Sequence, residues 1–158
     1  MILRPYGDDD GPATLEVFLR AIRVTAAHDY SPEQVAAWAS DEIDPAGWAA
    51  RRLASRTQVA EVEGRVVGFT DVDEHGYVDM LFVDPASARQ GVATALLDWA
   101  VTTARELGAD GLSTHASLTA RPFFEEHGFV VVEEQQPVLR GVTLRNFVMR
   151  RALDLPGD

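Results

Sequence analysis

The sequence predicts an α/β (α+β) fold: a mixed, mostly antiparallel sheet of about seven strands with helices on both faces. Three observations carry that expectation. β-Rich runs and runs of helical spacing follow one another as strand, two or three helices, three strands, helix, strand, helix, two strands. Glycine turns at Glu63-Gly64, His75-Gly76 and Arg140-Gly141 separate neighbouring β-rich runs. The 158 residues, 46% of them hydrophobic, suffice for one well-packed core, which gives a single domain at 1–153 and a loose tail at 154–158.

Ile2 to Tyr6 is the first strand. It runs into Gly7-Asp8-Asp9-Asp10-Gly11-Pro12, a turn whose carboxylates suit the positive end of a following helix. Leu15, Phe18, Leu19 and Ile22 then recur at helical spacing. Past a loop at His28-Asp29-Tyr30, Ser31-Pro32-Glu33 supplies an N-cap, a first-turn proline and an acid for a second helix through Val35 and Trp38. Trp48 to Leu53 is a third helical stretch. The period then changes, and Gln58 to Val62, Arg65 to Val72 and Tyr77 to Val83 read as three consecutive antiparallel strands. From Gly91 to Leu107 a broad apolar stripe that includes Leu96, Leu97, Ala100 and Ala104 lies opposite Asp98, Thr102 and Arg105, and Gly108 ends the helix. Leu112 to Ser117 is a short strand, and Phe123-Phe124 lie on a helix that stops near Gly128. Phe129 to Val138 and Val142 to Met149 are the last two strands.

Charge and composition exclude several functions. A formal net charge of -11 repels a phosphate backbone, so no nucleic-acid partner is expected, and the same field favours a cationic substrate. All 14 basic residues are arginine, which removes a lysine base or Schiff base. With no cysteine there is no disulfide, no thiolate nucleophile and no cysteine metal site; no metal is expected. No apolar run approaches the roughly 20 residues of a membrane span, and the first residues do not read as a leader. No membrane partner and a cytoplasmic location are the expectations.

The most informative stretch runs from Leu81-Phe82-Val83-Asp84-Pro85 through Ala88-Arg89-Gln90-Gly91-Val92-Ala93-Thr94. A strand ends in a loop of small residues that opens the long helix. Such a helix start has unpaired N–H groups and partial positive charge, suited to a phosphate or pyrophosphate. Glycine at 91 and the small Ala93 let an anion approach the backbone. The lysine-bearing phosphate loop and G-x-G-x-x-G are both absent.

This segment resembles motif A of the GNAT superfamily of N-acetyltransferases, Q/R-x-x-G-x-G/A, with Ala88 departing at the first position. Downstream, Ser117-Leu118-Thr119-Ala120-Arg121-Pro122-Phe123-Phe124, continuing to Gly128-Phe129, is similar to that family's N/S-x-x-A-x-x-F-Y-x-x-x-G-F. Tyr30-Ser31-Pro32-Glu33-Gln34 and Arg140-Gly141-Val142 are similar to its bacterial YafP-like branch. The resemblance implies acetyl-CoA as co-substrate. It implies backbone pairing of Leu81, Phe82 and Val83 with the pantetheine arm, and pyrophosphate binding by amides of Arg89, Gln90, Gly91, Val92, Ala93 and Thr94. Ser117 would touch the arm, and Phe123 and Phe124 would line the thioester end. It further implies transfer of the acetyl group to a primary amine of a small molecule or peptide by direct attack in a ternary complex, and a homodimer is a family-level expectation. The alternative is a CoA-binding protein with weak or no catalysis.

Acetyl transfer needs a neutral amine, and an alkylamine is only about 0.1% neutral at pH 7. Asp79 is the expected base: in the middle of the strand Tyr77 to Val83, it shares a face with Leu81 and Val83 by period-two alternation. Asp71, Asp73, Glu61 and His115 are weaker candidates. His28 and Tyr30 lie in the loop that borders the substrate pocket in the family. Phe124 stands where the family has a tyrosine acid; the thiolate can leave unprotonated, or water, Tyr30 or Tyr77 can supply the proton if the fold brings one near.

Overall fold

The computed structural model describes Met1–Asp154; the rest of the expected tail, residues 155–158, lies outside the described residues. Strand β1 (Ile2–Pro5) leads into helix α1 (Gly11–Arg20). Asp10 occupies the N-cap position, yet its carboxylate makes no capping bond. Arg4 holds it instead with two hydrogen bonds of 2.7 and 2.9 Å, an ion pair that outcompetes the helix end for the same oxygens and keeps the carboxyl below its usual range. α1 continues into one π-helical turn, Ala21–Thr25, and a 3-10 turn, Ala26–His28.

Helix α2 (Pro32–Trp38) starts on a capping box in which Ser31 and Gln34 satisfy each other's backbone amides. Helix α3 (Pro45–Ala54) is capped by Asp44. Strands β2 (Thr57–Val62) and β3 (Arg65–Asp71) form a hairpin whose turn residues Glu63 and Gly64 both have positive φ, 52° and 78°.

The run expected as one strand from Tyr77 to Val83 is two: β4 (Tyr77–Val78) and β5 (Leu81–Val83). They join different sheets, β4 parallel to the strand after the long helix and β5 antiparallel to β3. The interruption is imposed by the end of β3. Asp71 Oδ1 accepts the amides of Asp79 and Met80 at 2.8 and 3.3 Å, and Thr70 Oγ1 donates to Met80 O at 2.7 Å. A side chain takes the place of ladder partners, and the chain crosses between sheets there.

Helix α4 (Val92–Glu106) ends at Gly108, φ 86°, and is followed by β6 (Gly111–Ser117), α5 (Arg121–Glu126) and β7 (Val130–Gln135). A small hairpin of β8 (Val138–Leu139) and β9 (Val142–Thr143), turning at Arg140 and Gly141, precedes β10 (Asn146–Ala152). Three of the expected strand runs are thus interrupted. One four-stranded sheet has the order β1-β2-β3-β5 and the other β4-β6-β10-β7. α4 packs on one face, where Gly68 of β3 permits contact so close that a Cβ there would stand 3.0 Å from Val92 Cγ1. α1 and α3 cover the other face, with an aromatic core of Phe18, Trp48 and Phe69.

Candidate active site

Because the chain leaves one sheet for the other at Asp79–Met80, β5 and β6 diverge and a wedge opens between Leu81–Val83 and the Ser117 end of β6. Among the described residues β5 is an edge strand with β3 on one side only. On that side Met80 O accepts from Asp71 N and Asp84 N donates to Val67 O. By strand alternation the N–H and C=O groups of Leu81 and Val83 face the open edge, free to pair with an extended ligand.

A cavity of about 440 Å³ occupies the wedge. Leu81, Phe82 and Val83 form one wall, Ser117, Phe123 and Phe124 another, and Ala21, Ile22 and Thr25 of the π-helical turn a third. Arg89 and Ala93 lie at the end where α4 begins. Among the described residues no amide from Arg89 to Thr94 donates to a backbone carbonyl; the first that does is Ala95, to Gly91 O at 3.0 Å. Gly91 (φ 80°) and Arg89 (φ 62°) both adopt the left-handed conformation as the loop turns into the helix. Val92 is buried against the sheet, while Gln90 and Thr94 are exposed beside the free amides. The junction presents unpaired donors, one guanidinium and the positive end of a 15-residue helix to an anion.

Phe124 is buried between Phe123 and Phe129, with ring centroids 5.4 and 5.0 Å away. It packs the wedge and supplies no proton. Ser117 Oγ accepts from Ala120 N at 3.0 Å, which leaves its own hydroxyl proton free to donate.

A second cavity, also about 440 Å³, opens on the other side of β5, and Trp38, Phe82 and Ser117 line both. Its walls are aromatic, with Phe18, Trp48 and Tyr77 beside them. Asp79 lines this second cavity and not the wedge. The expected face shared with Leu81 and Val83 does not exist, because the break at Asp79–Met80 ends the alternation; Leu81 and Val83 turn toward Val92 and Leu96. The Asp79 side chain is exposed.

Tyr30 lines the second cavity too, but its hydroxyl is fully engaged, donating to Arg145 O at 2.6 Å and accepting from Leu118 N at 2.9 Å. Burial pushes the phenol up from its ordinary range. Tyr30 ties the end of β6 to the start of β10. Tyr77, its phenol likewise raised by burial, packs edge-on against His115. His28 is exposed at the end of the 3-10 turn and lines neither cavity.

Beneath the strand break lies an ion pair. Arg52 and Asp71 are both almost fully buried and bond at 3.2 Å. Burial pushes the Asp71 carboxyl up to about 6, against the lowering effect of the two backbone amides and Arg52. The Arg52 guanidinium also stands over Trp48, 5.0 Å from the ring centroid, with its Nε unpartnered.

Trp38, Asn146 and Arg51 were not legible as site residues. Each is separated in sequence from the strand–loop–helix segment and has no motif around it. Only the fold shows that Trp38 divides the cavities and that Asn146 Oδ1 is buried without a donor opposite Ser117 in the β6–β10 register. Among the described residues no group of three or more histidine, cysteine, aspartate or glutamate side chains is arranged to hold a metal ion.

Comparison with known proteins gives concordant matches. Residues 26–150 match the model of the acetyltransferase (GNAT) domain. The uncharacterized N-acetyltransferase YafP of Escherichia coli (strain K12) is 42% identical over 148 residues, 94% of this chain and 93% of that one. A GCN5-related N-acetyltransferase from Rhodopseudomonas palustris superposes with a TM-score of 0.93 at 36% identity, covering 96% of this chain and 95% of that one. The PaiA N-acetyltransferase of Thermoplasma acidophilum, solved in complex with coenzyme A, has the same fold: TM-score 0.79 and 16% identity, over 96% and 98% of the two chains.

Proposed function

Since the chain belongs to the GNAT acetyltransferase family, in its YafP-like branch, we propose that it transfers the acetyl group of acetyl-CoA to a primary amine by direct attack in a ternary complex. One observation carries the reading: two cavities meet at Trp38, Phe82 and Ser117, one suited to CoA and the other to an acceptor. The open backbone edge of Leu81 and Val83 fits the amide-bearing pantetheine arm, and the free amides from Arg89 to Thr94 fit the pyrophosphate. Bound there, acetyl-CoA supplies an activated thioester at the junction. The proton of Ser117 is free to donate to the arm.

The amine enters from the aromatic cavity, past Asp79. Its nitrogen attacks the thioester carbonyl, the C–N bond forms, the C–S bond breaks, and the nitrogen's proton passes to Asp79. Asp79 is solvent-exposed, so a water relay suits it better than direct contact. No phenol is needed at Phe124, since releasing a thiolate of pKa near 8.5 at pH 7 costs only about 2 kcal/mol. Attack by a bound amine in a junction shielded by Trp38 and Phe82 gains chiefly from orientation.

The test is thiol release from acetyl-CoA across a panel of amines, run beside Asp79→Asn. Turnover with one amine class is expected, with kcat/KM at pH 7 falling at least about tenfold in the variant. Turnover that survives Asp79→Asn removes it as base, and tight CoA binding with no turnover on any amine favours a binding-only protein.

A further inference from the structure

We propose that the acceptor is an amine that also carries a carboxylate, held with its amine at Asn146 and Asp79 and its carboxylate on Arg51 and Arg140. This rests on the acetyltransferase reading and narrows its substrate.

The aromatic cavity reverses the charge balance of the chain. Acids outnumber bases 25 to 14 overall, yet among the described residues Asp79 is the one acid lining this cavity, against three arginines, Arg51, Arg140 and Arg145. The three differ in what they have to spare. Arg145 is taken by Glu134 and lies over the Phe147 ring. Arg140 spends one N–H on Ala37 O at 2.8 Å and keeps the rest. Arg51 makes no side-chain hydrogen bond or ion pair among the described residues. Two guanidinium groups beside apolar walls thus have donors for a carboxylate, which their planar forks bind in pairs.

Another residue of the lining asks for a donor. Among the described residues Asn146 Oδ1 accepts no hydrogen bond, and a small rotation of the half-buried side chain would offer this acceptor to a ligand N–H. It stands in register with Ser117, where the two cavities join. An amine seated there would lie where the proposed thioester end meets the aromatic cavity, which Asp79 also lines. Phe18, Trp38 and Trp48 in the same lining accept an apolar body. A polyamine would set its second cation against the arginines, so the arrangement also disfavours that class.

Matched pairs that differ only in the carboxylate test this: phenylalanine with phenethylamine, tryptophan with tryptamine, and leucine with isopentylamine. Binding to the CoA-loaded protein is measured by calorimetry and turnover by thiol release. The carboxylated member of at least one pair is expected to bind at least about tenfold tighter, and Arg51→Gln to shrink that preference to about twofold. Equal or tighter binding of the decarboxylated amines, of spermidine, or of no member of any pair overturns the proposal. A carboxylate preference in binding with no thiol released on any amine leaves this site assignment standing and removes the acetyltransferase reading instead.

Discussion

Asp71 is the side chain on which the site geometry turns. One oxygen holds the amides that open the strand break in partly buried bonds, and the other meets Arg52 out of water. Its carboxyl stands at about 6, against an ordinary 3.8. Between those values the folded protein binds a proton that the unfolded chain has lost, so the contribution of Asp71 is fully present below pH 3.8 and is lost as pH rises through 6. Asp71→Asn keeps an oxygen for the two amides and does not titrate. The stability of the native protein relative to this variant is therefore expected to fall by about 2 kcal/mol from pH 4 to 7, at 1.36 kcal/mol per pKa unit. Urea unfolding of both proteins across that range measures the difference. A relative stability that rises with pH would mean that Arg52 outweighs burial and holds the carboxyl low.

At the scale of elements, the loop into α4 stores strain where the proposed reading places the CoA phosphates. Arg89 has φ 62° without being a glycine, and its side chain lines the wedge. Arg89→Gly removes roughly 1 kcal/mol of left-handed strain and also a cation facing the expected phosphates. The melting temperature is expected to hold or rise by a few degrees while CoA affinity drops about tenfold, read by thermal unfolding and calorimetry. Loss of stability with unchanged affinity would show that Arg89 serves the fold alone. The start of α4 was legible because glycine, small residues and an apolar stripe are local signals. The strand break was not. Tyr77 to Val83 alternates well enough for one strand, and the groups that divide it, Thr70 and Asp71, act from the neighbouring strand. The same holds for Asp79: its position in the run was readable, but the cavity it joins depends on that break. Tyr30 was readable as a loop residue near the site, whereas its role as a tie between Leu118 and Arg145 needed contacts 88 and 115 residues away.

At the scale of the whole molecule, the net charge of -11 and the binding of an anionic co-substrate pull in opposite directions. In the proposed complex CoA is attracted at contact by the α4 amides and Arg89, yet on approach it meets the field of a chain with net charge -11. The two terms have different ranges. The contact term acts over a few ångströms and is weakly screened, while the repulsion acts over tens of ångströms and is cut off once the Debye length shrinks from about 30 Å at 0.01 M to about 8 Å at 0.15 M. The repulsion therefore governs encounter and the contact term governs residence. The association rate of CoA is expected to rise severalfold over that range of ionic strength while dissociation changes little, which stopped-flow binding measures directly. A fall in the association rate would mean that the positive helix start and its guanidinium dominate even the approach, and that the acidic surface lies too far from the wedge to be felt there.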